Sequence, residues 1–247
     1  MIVDKQPPPL GSADGSSKVE LTNTLTEFNR ERNLNFIVRL AYDLSRKRGE
    51  KEVCMLVVGA SHQEMVSLAN KAYQLQAMRY SEGAFTLKLV GLNYNPNELQ
   101  IADPQEFSTK IKEKGYSGYL LEKYQMLLHD MSKTPYDDGK FHAVLINNVF
   151  VHYPFDIQKI ILANAAQSLV PGGYFSMEEG RGLGYLGDKG TKRYRWEKAT
   201  EQLRGALETG ELGFSKLTDE ELQHISRYND DAFGRLHQTE NYYRLNS

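Results

Sequence analysis

Apolar positions along this chain switch between two rhythms. Val53–Val58, VCMLVV, is an unbroken apolar run that reaches Gly59, after which Met65, Leu68, Ala69, Ala72 and Leu75 fall on one side of a helix running to Met78. A continuous β-branched and leucine-rich run of this length predicts a strand buried on both faces, and the change of period predicts a helix leaving a tight turn. Phe85–Leu92, FTLKLVGL, reads as a second strand ending in the polar turn Asn93–Asn97. Two strands joined by a helix form a right-handed βαβ unit. Further on, the pattern predicts a helix over Glu98–Lys114, a short third strand over Tyr124–His129 and a central strand over Phe141–Asn148. An amphipathic helix over Ile157–Leu169 is stopped by Pro171-Gly172-Gly173, and Tyr174–Glu178 supplies another strand. Strand and helix alternate, which predicts an α/β fold with a mostly parallel sheet and helices on both faces.

The flanks break this rhythm. Residues 1–18 hold Pro7-Pro8-Pro9 and then GSADGSSK, a composition with too little apolar surface to order itself, and read as a flexible leader. Residues 22–48 carry apolar positions at helical spacing and end in Arg46-Lys47-Arg48 before Gly49, which predicts one or two helices with a basic last turn and a glycine stop. Residues 180–217 begin with a glycine-rich loop carrying Arg181, Lys189, Lys192 and Arg193, and read as an insertion on the substrate side. That loop is either a solvated segment or a clamp for an acidic peptide. Thr218-Asp219-Glu220-Glu221 matches a capping box. Phe233–His237 and Tyr242–Asn246 read as a terminal antiparallel strand pair. Residues 19–247 thus form one domain.

Composition removes several function classes. A net charge of −2 with 25% charged residues is an ordinary surface without the basic footprint of nucleic-acid binding. The single cysteine, Cys54, lies inside the first predicted strand, so neither a disulfide framework nor a cysteine metal site is expected. The histidines and acids at 129, 130 and 142 are too scattered for a metal site, and Asp137-Asp138-Gly139 reads as a turn. No apolar run approaches the ~20 residues of a membrane span, and the N-terminus lacks the apolar core of a secretory signal. The expectation is a cytoplasmic protein that neither inserts into membranes nor binds nucleic acid; its oligomeric state is left open.

Chemistry concentrates at strand ends. The turn Gly59–Ser61 is either a backbone approach to a ligand below a helix N-terminus or simply a tight βα connection. That turn, the polar end of the second strand, the strand ending NNVFVHY and the turn PGGY together resemble a class I S-adenosylmethionine-dependent methyltransferase with a Rossmann-like fold. Within that superfamily the chain is most similar to the chemotaxis receptor glutamate methyltransferases (CheR-like). TLTEFNR is similar to their NETSFFR, VVGASHQEMVSLA to AGCSTGEEPYSLA, and INNVFVHYPFDIQKIIL to CRNVLIYFDxxxQxxIL.

The resemblance implies a set of site residues. Arg30 matches an arginine that reaches the cofactor. Gly59, Ala60 and Ser61 match the turn beneath its amino acid part, Glu64 an acid on its ammonium group, and Asn93 the position of the ribose-binding acid. Asp130 and Met131 match positions beside the adenine, and Asn147, Asn148 and Val149 the strand-end triplet near the methionyl group. His152 takes the place of a tyrosine beside the transferred methyl, which makes His152 and Asn148 the candidate catalytic residues. The implied activity is methylation of a carboxylate on a glutamate-bearing, acidic protein substrate, with S-adenosylmethionine as donor and S-adenosylhomocysteine as product.

Departures from the pattern are concentrated at the same positions: His62-Gln63 where the turn has a glycine, Asn93 for an acid, Asn147 for an arginine and His152 for a tyrosine. They support a second reading, a degenerate domain that binds a cofactor or a protein partner without turnover. If the resemblance carries over, Arg30→Ala and Glu64→Ala each weaken S-adenosylmethionine binding by more than an order of magnitude and Asn93→Asp strengthens it, with calorimetric titration as the measurement.

Overall fold

The computed structural model describes residues 34, 36–78, 85–95, 123–137, 140–147, 149–178, 192–218, 220–221 and 242–246. The predicted leader, the helix over 98–114, the glycine-rich part of 180–191 and the strand over 233–237 lie outside the described residues. Arg30 and Asn148 also lie outside them.

Residues 36–47 form helix α1, which ends before Gly49 at φ 73°, the left-handed conformation that glycine adopts without strain. Strand β1 (Glu52–Val58) follows, then α2 (His62–Met78), β2 (Thr86–Asn93), β3 (Lys123–Leu128) and β4 (Phe141–Asn147). A 3₁₀ turn (Phe150–His152), α3 (Phe155–Ser168), β5 (Leu169–Glu178), α4 (Lys192–Glu208), β6 (Phe214–Lys216) and β7 (Tyr242–Leu245) complete the set. The sheet has seven strands in the order β3-β2-β1-β4-β5-β7-β6. The first five in that order run parallel, and β7 pairs antiparallel with both β5 and β6.

The unbroken apolar run of β1 is explained by two cores. Val53, Met55 and Val57 face one core with α1 and α2. Cys54, Leu56 and Val58 face the other with α3 and α4. A strand with period-2 side chains between two helical layers needs apolar residues at every position, and the burial pattern of β4 is likewise continuous.

Two sequence expectations change. Leu169 caps α3 with extended backbone and leads straight into β5, so Pro171-Gly172-Gly173 lies within the irregular start of the strand rather than in a stop after the helix. Pairing jumps from Phe141↔Leu169 to Ala143↔Tyr174, a bulge that accommodates a proline lacking a ladder donor. The second change concerns the terminal strand. Tyr242–Leu245 takes as partners β5 and Phe214–Lys216, which places the latter, from the expected substrate-side insertion, in the sheet itself. The capping box forms as expected: the Thr218 N–H donates to Glu221 Oε2 at 2.9 Å and the Glu221 N–H to Thr218 Oγ1 at 3.3 Å. Arg244 on β7 pairs with the same glutamate at 2.5 Å, which ties this turn to the sheet edge.

Among the described residues no helix is long and apolar enough to cross a membrane. At the amino ends of the central strands β1 and β4, buried His142 accepts the Cys54 backbone N–H on Nδ1 at 3.0 Å, so its Nε2–H donates to Glu50 at 2.8 Å. Burial pushes the imidazole below its ordinary range against the opposing pull of Glu50. Burial also drives the Cys54 thiol up to about 12, with Glu52 adding to the effect, which makes this cysteine an inert core residue.

The folded state therefore binds fewer protons at His142 than the unfolded chain does. Its contribution to stability is complete above about pH 6.5 and is lost as pH falls from there through the lower native value. Denaturant unfolding as a function of pH checks this. His142→Asn, which keeps an acceptor for the Cys54 N–H without a titrating ring, is expected to flatten the loss below pH 6.5; an unchanged slope refutes the assignment.

Candidate functional site

Strand β1 has β2 on one side and β4 on the other, so the chain's crossovers leave it in opposite directions. A crevice opens at such a switch point, over the carboxyl ends of the strands. A cleft of about 390 Å³ lies there, within the ~300–1,000 Å³ usual for small-molecule sites. Its walls come from the β1–α2 turn, the ends of β2 and β3, and the segment after β4.

The β1–α2 turn is held from several sides. Gly59 has φ 70°, and a Cβ built on it would lie 2.4 Å from Val149 Cγ2, so this position demands glycine both for its backbone and for its packing. The Ala60 N–H is already committed to the Leu92 carbonyl at 3.0 Å. Ser61 caps α2: its Oγ accepts the Glu64 N–H at 3.3 Å and its carbonyl the Met65 N–H at 3.1 Å. Glu64 consequently stands in the first turn of α2, near the positive end of the helix dipole, with its carboxylate half-buried. Asn147, at the end of β4, donates from Nδ2 to Glu64 Oε1 at 2.5 Å and bridges the cleft floor.

Asn93 has a more local duty than the resemblance implies. Its Nδ2 donates to the Ala60 carbonyl at 2.9 Å, and its Oδ1 accepts the Asn95 N–H at 2.9 Å. The amide braces the glycine turn with a donor that a carboxylate lacks. Asp130 forms a comparable local turn: Oδ1 accepts the Ser132 N–H at 3.0 Å and the Ser132 hydroxyl at 2.6 Å, and Lys133 lies 3.4 Å from Oδ2. Burial works to raise its pKa, yet the Ser132 bonds and the Lys133 charge prevail and hold the carboxyl below its usual range. Beside it, Met131 is buried, its carbonyl fixed by Asn164 Nδ2 at 2.8 Å.

After β4, the 3₁₀ turn presents His152 and Tyr153 to the cleft. His152 is exposed. The Tyr153 hydroxyl is kept protonated well above its ordinary range, by burial first and by Tyr94 and Asp130 second.

The expected residues thus converge. Gly59, Ser61, Glu64, Asn93, Asp130, Met131, Asn147, Val149 and His152 all line this one cleft, and Ala60 is fully buried in the turn beneath it. Sequence reasoning did not assign Tyr94, Asn95, His129, Ser132 or Tyr153 to the cleft, though each lies within two residues of an expected one.

Similarity to known proteins agrees with the topology. A family model described as a methyltransferase domain matches residues 69–177. The plantazolicin methyltransferase BpumL, solved in complex with SAH, superposes with a TM-score of 0.52 at 13% identity, covering 93% of this chain and 88% of that one. The fold is a methyltransferase fold. The same enzyme with a triazolic desmethylPZN analog and SAH gives a TM-score of 0.50 at 14% identity, covering 93% of this chain and 90% of that one. The S-adenosylmethionine-dependent methyltransferase SibL, in its apo form, is 20% identical over 58% of this chain with a TM-score of 0.38, and the match spans only 34% of its length. No curated protein sequence matches the chain.

These bonds give a second expectation for Asn93, opposite to the one drawn from the resemblance. Asn93→Asp removes the donor to Ala60 and sets a carboxylate against a carbonyl, so the variant is expected to lose about 1–3 kcal/mol of stability and to bind S-adenosylhomocysteine no more tightly. Denaturant unfolding with calorimetry checks both; tighter binding at undiminished stability refutes the bracing role.

Proposed function

We propose that this chain is an S-adenosylmethionine-dependent methyltransferase whose cofactor lies over the carboxyl ends of β1 and β4. The observation that carries the reading is Glu64, a half-buried carboxylate at a helix N-terminus on the floor of the switch-point cleft, bonded by Asn147 at 2.5 Å. A carboxylate in this place suits the ammonium of the cofactor's amino acid part. The Gly59 turn lets the backbone approach, Met131 offers an apolar side to a planar base, and the fold supports the same placement.

When bound, the cofactor supplies a methyl carbon activated on a sulfonium. The protein's share is alignment, which can lower a barrier by as much as ~7–11 kcal/mol. Among the described lining residues, Asp130 is tied to Ser132 and Lys133, and Tyr153 holds its proton. An acceptor that has no proton to lose fits such a cleft. A carboxylate, ionised above ~4.3, is one, which supports O-methylation of a glutamate-bearing protein.

Titration with S-adenosylmethionine and S-adenosylhomocysteine is expected to give micromolar dissociation constants; no heat with either sinks the reading and leaves the degenerate domain. With glutamate-bearing helical peptides as acceptors, His152→Ala is expected to keep kcat within about twofold and a flat profile from pH 6 to 8. A large loss that tracks pH would make His152 a base and the acceptor a nitrogen or hydroxyl.

A further inference from the structure

Behind the cleft wall that carries His152 and Tyr153 lies a fully buried amide. Gln158, in the first turns of α3, is 0% exposed. Its Nε2 donates to the Phe150 carbonyl at 2.8 Å and to the Tyr153 carbonyl at 2.9 Å, the two ends of the 3₁₀ turn. A third contact at 3.2 Å reaches the hydroxyl of Thr200 on α4, itself buried. One side chain therefore joins the turn, α3 and α4.

The orientation of this amide is decided by its surroundings. Turned over, it would set an oxygen against two carbonyls. In the observed orientation Oε1 is buried without a hydrogen-bond partner, a cost that the fold carries for the sake of the two donor bonds. Two backbone bonds close the turn, from the His152 N–H to the Val149 carbonyl and from the Tyr153 N–H to the Phe150 carbonyl. Phe150 anchors one end in the core against Phe175. The other end, which enters α3 through Pro154, has no side-chain cap. Gln158 adds a constraint there by holding both carbonyls on its own side of the turn, while His152 and Tyr153 line the cleft.

We propose that Gln158 is a positioning residue: it fixes the His152–Tyr153 wall of the cleft, with Thr200 as its second anchor on α4. The claim goes beyond the proposed function, because it concerns the geometry of the wall whether or not the cleft turns over a substrate.

The test follows the His152 ring resonances by NMR in full-length protein, assigned with a His152→Gln variant and referenced to His142, which sits at the opposite end of β4. In Gln158→Leu the His152 resonance is expected to shift and broaden while His142 stays in place, and Thr200→Val gives a smaller shift in the same direction. Gln158→Met, which keeps the length and drops the donors, serves the same purpose if the leucine variant does not fold. A folded Gln158 variant with a lower melting temperature and an unmoved His152 resonance overturns the proposal and assigns the residue to packing alone. S-adenosylhomocysteine titration of the same proteins is read separately: no binding by the wild type counts against the proposed function and leaves the NMR outcome standing.

Discussion

Contact between Gly59 and Val149 is the constraint on which the rest of the site depends. The Val149 side chain at the segment after β4 packs onto Gly59, where a Cβ would lie 2.4 Å from its Cγ2 methyl. Parallel pairing of β1 with β4 sets the first turn of α2 beside the last residue of β4, where Glu64 and Asn147 bond across the floor. A bulkier residue at 59 would be strained at φ 70° and would have to displace the Val149 methyl, at the turn that leads to Glu64.

Around that contact, the polar groups of the cleft are mostly engaged with one another. Asn93 braces the Ala60 carbonyl, Asp130 holds its own turn through Ser132, and Ser61 caps α2. Pre-formed networks of this kind keep a site in one shape before any ligand arrives, because each group left unpaired in a low-dielectric wall would be costly. The same economy explains why polar residue types can differ from those of the resembling family while the cleft persists. An amide at 93 serves the backbone where an acid would serve a ligand.

Much of this was legible in the chain. The β1 and β4 runs announce strands covered on both faces because period-2 side chains between two helical layers must all be apolar, and the expected site residues gather because strand ends in a switch-point sheet converge. Phe214–Lys216 was not legible: three residues carry too little periodicity, and only buried Phe214 marks the strand. Pro171-Gly172-Gly173 reads locally as a stop, and only pairing with β4 turns it into a bulge. The double duty of the Asn93 amide depends on Ala60 and Asn95 meeting it in space, and the contact of Gln158 with Thr200 crosses 42 residues of sequence, beyond the reach of any local pattern.

Strand β7 has a consequence for the order of events in folding. It lies between β5 and β6, and it pairs Tyr174 with Arg244 and Phe214 with Leu245. During synthesis, both neighbours wait with open hydrogen-bonding edges until residues 242–245 emerge. Such non-local closure is slow, because loop entropy is lost before the contacts form, and an open strand edge is a template for pairing with another chain. The parallel half of the sheet, which holds the cleft, can assemble early, whereas β5 and β6 are joined only when β7 slides in between them.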